Sequence, residues 1–201
     1  MTRRLVQLYA GLILYGASLA LQIRAALGLD PWDVFHQGLS ERTGLSFGTI
    51  VIIIGALVLL AWIPLRQKPG IGTISNVFVV GIAVDATLAV LPEVDGLSVQ
   101  LPLLAVAIVL NGIAGAAYIG AGLGPGPRDG LMTGLVRVTG RPVAVVRTSL
   151  EVSVLAVGFA LGGTVGLGTV LYAVSIGPLL DVLLPPLTLR ERAPAAAAAP
   201  A

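Results

Sequence analysis

The chain has no cysteine and a single histidine in 201 residues. Disulfides are therefore excluded, and so are the thiolate or Cys/His sets that hold iron–sulfur clusters and structural zinc. Charge is scarce as well: Asp, Glu, Lys and Arg make up 11% of the chain, against about 25% in soluble domains. No Gly-rich loop is followed by Lys-Ser/Thr, so a P-loop is absent. The cations are scattered rather than clustered with aromatics, so the net charge of +2 does not point to nucleic acid. What remains is apolar. At 56% hydrophobic residues and a mean hydropathy of +0.98, the composition predicts an all-α integral membrane protein whose first partner is the lipid bilayer.

A hydrocarbon core of ~30 Å needs about 20 apolar residues per helix. Six stretches qualify: 5–23, 45–65, 71–91, 101–122, 142–161 and 168–187. The first is too long for a signal-peptide core and is read as a retained helix. Residues 193–201 are only Ala and Pro and read as a disordered tail.

Residues 28–91 recur at 124–187 with a constant offset of 96, pairing Gly28 with Gly124, Pro31 with Pro127, Asp33 with Asp129 and Gly38 with Gly134. The same offset pairs Gly70, Gly72 and Thr73 with Gly166, Gly168 and Thr169, then Gly81 with Gly177 and Asp85 with Asp181. The chain thus divides into a first three-helix repeat, 1–96, and a second, 97–192. Ten Lys or Arg fall on one side of the predicted spans and only Arg24 and Arg42 on the other, which places both termini in the cytoplasm. An odd number of spans per repeat makes the second copy enter from the opposite face. The expected fold is six transmembrane helices in a 3+3 inverted-topology repeat, an arrangement that many transporters use to build a site between two halves.

Each copy carries a Pro suited to a first helical position, followed two residues later by an acid. Short helices are expected at 31–42 and 127–139, with Asp33 and Asp129 near their starts, where a carboxylate satisfies free N–H groups. They are read as either interfacial or re-entrant; in the second case both acids face a pathway. Gly70, Gly72 and Thr73, like Gly166, Gly168 and Thr169, read as helix-start motifs, for packing or for an anion at a helix N-terminus. Asp85 and Asp181 lie about 14 residues into apolar spans, where an acid usually faces a partner or water. The duplication breaks at Arg147 and Glu151, which stand opposite Val51 and Gly55 and four residues apart on one helix face. Glu151 falls roughly 13 Å into its span, which suits a proton or cation site as well as an intrahelical ion pair. Asn76 and Asn111 read as polar neighbours, and His36, beside Trp32 and Phe35, as an ordinary interfacial residue.

Taken together, Gly28–Gly38 with its Pro-Trp-Asp, the Gly-x-Gly-Thr at 70–73, Pro127-Arg128-Asp129-Gly130, Val146-Arg147-Thr148 with Glu151, and 166–177 resemble the YczE/YyaS/YitT group of bacterial membrane proteins. The resemblance covers about residues 5–187. It implies a multi-pass protein of the bacterial cytoplasmic membrane, from a group whose activity is poorly defined.

The expected function is a small secondary transporter or exporter, with proton coupling as an option. Glu151 and Arg147 would be its central pair, and Asp33, Asp85, Asp129 and Asp181 would line its mouths. The substrate is an unknown small molecule or ion, a homo-oligomer is allowed, and no cofactor or metal is expected. The alternative is a non-catalytic accessory or assembly protein acting through partner helices. An enzyme is not expected. A rhomboid-type serine protease needs Gly-x-Ser-Gly and a buried His, and an intramembrane aspartyl protease needs Gly-x-Gly-Asp, whereas Asp85 follows Gly-Ile-Ala-Val and Asp181 follows Gly-Pro-Leu-Leu.

Overall fold

A computed structural model describes residues 1–189. The Ala/Pro tail and the cations Arg190 and Arg192 lie outside the described residues. The described residues form eight helices and no strand: α1 (Thr2–Ala25), α2 (Pro31–Thr43), α3 (Phe47–Ala61), α4 (Ile71–Val90), α5 (Leu97–Gly120), α6 (Pro127–Thr139), α7 (Val143–Leu161) and α8 (Leu167–Leu187). The starts Pro31 and Pro127, Phe47 and Val143, and Ile71 and Leu167 each stand 96 apart (127 minus 31, 143 minus 47, 167 minus 71).

Local chemistry sets these boundaries. Pro31 and Pro127 occupy first-turn positions, where a missing N–H loses nothing. Gly44 and Gly140 end the two short helices at φ 73° and 64°, a left-handed turn that costs glycine least. The Asp30 carboxylate, not Asp33, caps α2: its Oδ1 accepts the N–H of Trp32 at 2.9 Å and of Asp33 at 3.1 Å. At α4 and α8 the Gly70 and Gly166 N–H groups donate to Thr73 and Thr169 Oγ1 at 3.1 and 3.2 Å.

Among the described residues five helices are long and apolar enough to cross a membrane. The expected span 45–65 is corrected: α3 is 15 residues long, or about 22 Å, short of a bilayer core. Pro64 denies the continuing helix an N–H, and residues 62–66 turn instead. Counted with α2 as one broken span, bent by 115°, α3 supplies a sixth.

At the centre α1 and α5 pack antiparallel. Gln7 donates to the Ala117 carbonyl at 2.9 Å near one end, and Asn111 Nδ2 donates to Ser18 Oγ at 2.9 Å further along. α4 runs parallel to α1, with Tyr9 paired to Ser75 and Arg24 donating to the Leu88 carbonyl. α8 lies on α5, where Tyr172 donates to Asn111 Oδ1 at 2.9 Å and the Leu189 N–H to the Gly120 carbonyl. The short helices cross between halves: α2 packs on α7 and α6 on α3. Gly158 admits α2 at close range, since a Cβ there would stand 2.5 Å from the Phe35 nitrogen. Its counterpart 96 residues earlier is Trp62, buried under α6 with its indole N–H donated to the Pro127 carbonyl at 3.0 Å. The main core gathers Leu8, Leu12 and Leu19 of α1 with Val34, Phe47, Val51, Val80, Val84 and Tyr118.

Candidate functional site

The N-terminal turns of α2 and α6 meet beside the α1–α5 pair, and their polar side chains form one buried cluster. Asp30 and Asp33 are 2% and 1% exposed. Arg128, from the first turn of α6, reaches across to place Nη2 3.1 Å from Asp33 Oδ1 and Nη1 3.6 Å from Asp30 Oδ1. Its guanidinium also lies 5.1 Å from the Trp32 ring centre, within cation–π range. His36 Nδ1 is 2.9 Å from Asp33 Oδ1. Charges this deep persist only when paired, and here they are paired between the two halves of the chain.

Two expectations are corrected here. His36 is not an interfacial residue: it is 2% exposed, edge-on to Phe47 and hydrogen-bonded to Asp33. One turn of helix brings His36 back over Asp33, so both rings and acid enter the core together. The buried histidine that a hydrolase would need is thus present, although the Gly-x-Ser-Gly is not. Arg128 is not a surface topology cation; taking it out of the ten leaves nine against two.

Two cavities flank this cluster. The larger, about 190 Å³, is lined from α5 by Asn111, Gly115 and Tyr118, from α7 by Arg147, Leu150 and Glu151, and from α8 by Tyr172, Ile176 and Leu180. The smaller, about 60 Å³, is lined from α3 by Val51, Ile54, Gly55 and Val58 and from α4 by Asn76, Val77 and Val80. Tyr15, Trp32, Tyr118, Arg128 and Asp129 border both and form the layer between them. The walls correspond at the 96-residue offset: Val51 with Arg147, Ile54 with Leu150, Gly55 with Glu151, Asn76 with Tyr172 and Val80 with Ile176. One wall is apolar and the other carries an ion pair, Arg147 Nε to Glu151 Oε1 at 2.9 Å, with side chains 58% and 39% exposed.

Of the residues singled out in the sequence, Glu151, Arg147 and Asp129 line the larger cavity, and Asp33 stands behind it, holding Arg128. Asp129 Oδ2 accepts the Tyr118 hydroxyl at 3.2 Å. Asp85 borders neither cavity. It caps α3, accepting the Gly48 N–H at 2.7 Å and the Ser46 hydroxyl. Asp181 is exposed on α8, next to the cavity-lining Leu180. The Gly-x-Gly-Thr turns lie elsewhere, and each receives a loop of the opposite repeat: the Gly72 N–H donates to the Leu123 carbonyl at 2.8 Å and the Gly168 N–H to the Leu27 carbonyl at 2.7 Å. Thr73 also donates to the Pro125 carbonyl at 2.7 Å. One N–H at each of those helix starts thus goes to a protein carbonyl and the glycine N–H before it to a threonine hydroxyl, which answers part of the demand that an anion would otherwise meet.

Reasoning from sequence missed Asp30, Arg128, Tyr15, Tyr118 and Tyr172 as site residues. A signal was present. Asp30 stands opposite Gly126, Trp32 opposite Arg128, Tyr15 opposite Asn111 and Asn76 opposite Tyr172, so the site collects positions where the duplication fails.

Residues 2–185 match the model of a family of unknown function, DUF6198. An uncharacterized protein of Haemophilus influenzae is 38% identical over 173 residues, 86% of this chain and 79% of that protein. The uncharacterized membrane protein YczE of Bacillus subtilis is 37% identical over 180 residues, 88% of this chain and 83% of YczE. YyaS of the same organism is 27% identical over 179 residues, covering 87% and 89%. No solved structure matches.

Proposed function

This chain belongs to the DUF6198 family of unknown function, and we propose that it is a small secondary transporter or exporter of the bacterial cytoplasmic membrane, with its site between inverted repeats. The observation that carries the reading is the pair of cavities lined by residues 96 apart on either side of one shared polar layer. Two vestibules built from equivalent residues are what alternating access would use in an inverted, duplicated chain. The antiparallel α1–α5 pair supports the inversion, since equivalent helices of an inverted repeat run in opposite directions. Both termini are cytoplasmic in this reading, with nine cations against two setting the orientation. Proton coupling falls to the cavity acids, because a carboxylate that holds either a proton or a cation, but not both at once, links the two fluxes.

The native chain lacks cysteine, so single thiols can be placed without background. The test is Leu150→Cys and Ile54→Cys, repeat mates on the walls of the two cavities, labelled in sealed vesicles by a membrane-impermeant maleimide. The reading expects Leu150→Cys to react from one face and Ile54→Cys only from the other. Reaction of both from the same face overturns it. A protein that only holds partner helices together would co-purify with a stoichiometric partner and show no face-selective labelling.

A further inference from the structure

We propose that the larger cavity binds a small organic ammonium ion, with Asp30 and Asp129 as its charge partners and an aromatic wall around it. The inference rests on the cavity as a transport site and names its substrate class.

Charge is the first argument. Three carboxylates (Asp30, Asp129, Glu151) and two guanidiniums (Arg128, Arg147) line the cavity. Both cations are already engaged, Arg147 by Glu151 at 2.9 Å and Arg128 most closely by Asp33 at 3.1 Å. Among the described residues Asp129 is left with only the Tyr118 hydroxyl as a side-chain partner, and Asp30 with Arg128 at 3.6 Å. The lining therefore has negative charge in excess.

Asp30 supplies the second, independent argument. Its Oδ1 takes the N–H groups of Trp32 and Asp33 and faces Arg128, while among the described residues its Oδ2 has no hydrogen-bond partner. The residue is 2% exposed and lines the cavity. A buried carboxylate oxygen left unpaired costs about 1–3 kcal/mol or more, so Asp30 is the lining acid with a hydrogen bond still to make.

The wall decides which cation. Three of the chain's four tyrosines, Tyr15, Tyr118 and Tyr172, and one of its two tryptophans, Trp32, line the cavity, Tyr172 being the aromatic that the smaller cavity does not share. Inorganic cations such as calcium or magnesium ask for six or more oxygens at short range, and among the described residues no group of three or more His, Cys, Asp or Glu could hold a metal. Aromatic faces instead suit a desolvated ammonium on an organic body. The volume of about 190 Å³ exceeds the ~150 Å³ that holds a benzene ring, so a one-ring amine fits.

The experiment is isothermal titration of the purified full-length protein with three ligands of one shape and different charge: benzylammonium, benzyl alcohol and benzoate. Benzylammonium should bind saturably at millimolar concentrations or below, and the other two at least about tenfold more weakly, a difference of 1.4 kcal/mol. Asp30→Asn keeps an oxygen for capping α2 and should weaken benzylammonium about tenfold or more. Should that variant not fold, Asp129→Asn decides, since it removes the other named charge partner from an exposed position; an affinity unchanged there counts against the proposal. Equal binding of all three probes, preference for benzoate, or displacement of benzylammonium by millimolar sodium overturns it. Failure here with face-selective thiol labelling intact removes the substrate class alone; failure of the labelling with binding intact removes transport and leaves a cation receptor.

Discussion

The two halves share a plan but close differently. In the first, α3 lies along α4, and Gly48 and Gly81 bring the helices to backbone contact: a Cβ on Gly48 would stand 2.0 Å from the Gly81 carbonyl oxygen. Asp85 then bridges to the Gly48 N–H and the Ser46 hydroxyl. In the second half the equivalent positions are Ala144, Gly177, Asp181 and Pro142. Alanine adds the Cβ that the tight contact forbids, and proline removes the hydroxyl. No comparable seam forms between α7 and α8, and Gly177 has open space where Gly81 has none. The larger cavity sits at that open seam and the smaller one at the closed seam. Two side chains, Ser46 against Pro142 and Gly48 against Ala144, thus separate the tight seam from the loose one, and in the proposed cycle the difference is a state as well as a sequence.

The polar layer between the seams is where the greatest loss is expected. Arg128→Met would leave Asp30 and Asp33 buried without their cation, and breaking a buried pair costs about 3–5 kcal/mol. Little folded protein should survive size-exclusion chromatography in detergent. A normal elution profile and unchanged melting would mean that the halves are not joined through this cluster.

Next in size is the pair of glycine substitutions that tests the seams directly. Gly81→Ala forces a Cβ to 2.6 Å from the Gly48 carbonyl oxygen and from Ile52, and overpacking of that kind costs about 1–3 kcal/mol. Gly177→Ala meets nothing within 4 Å and should gain up to about 1 kcal/mol from helix propensity. Thermal unfolding should therefore move down for the first and level or up for the second. Equal losses would show that the α7–α8 seam is as tight as its mate.

Much of this architecture was legible in the sequence because glycine and proline punctuate it. Pro31 and Pro127 mark two helix starts and Gly44 and Gly140 two ends, and the structure places them there. The length of α3 was misread because a hydropathy window sees Trp62, Ile63 and Leu65 as continuing an apolar span, while Pro64 ends it. The site was half legible. Arg147 and Glu151 stood out as charges opposite Val51 and Gly55, but Arg128 was counted among topology cations, since a sequence does not say that α6 points its first turn at α2. Asp85 and Asp181 look alike in a repeat alignment. Only their neighbours, Ser46 against Pro142 and Gly48 against Ala144, tell them apart.

That contrast gives the third expectation. Asp85→Asn weakens the acceptor of two hydrogen bonds at the start of α3, and loss of a helix cap costs about 0.5–2 kcal/mol. Asp181→Asn, at an exposed position, should stay within about 0.5 kcal/mol of the parent. Thermal unfolding of the two variants side by side reads the difference. If Asp181→Asn destabilises as much, the second seam is closed by a bond that this conformation does not make.

The smallest stability effect is expected at Glu151, and there it separates structure from function. Its partner Arg147 is four residues away on the same helix, both side chains are substantially exposed, and such pairs contribute about 0.3–0.5 kcal/mol. Glu151→Gln should therefore unfold within about 2 °C of the parent. Its position opposite Gly55, on a cavity wall where the repeat mates are Val51 and Gly55 without charge, argues that the carboxylate is kept for what enters the cavity rather than for the fold. Proton-linked flux into liposomes should fall steeply in this variant while melting stays put. A variant that melts normally and transports normally would take Glu151 out of the mechanism and leave coupling to Asp30 and Asp129, the two acids with the least neutralisation.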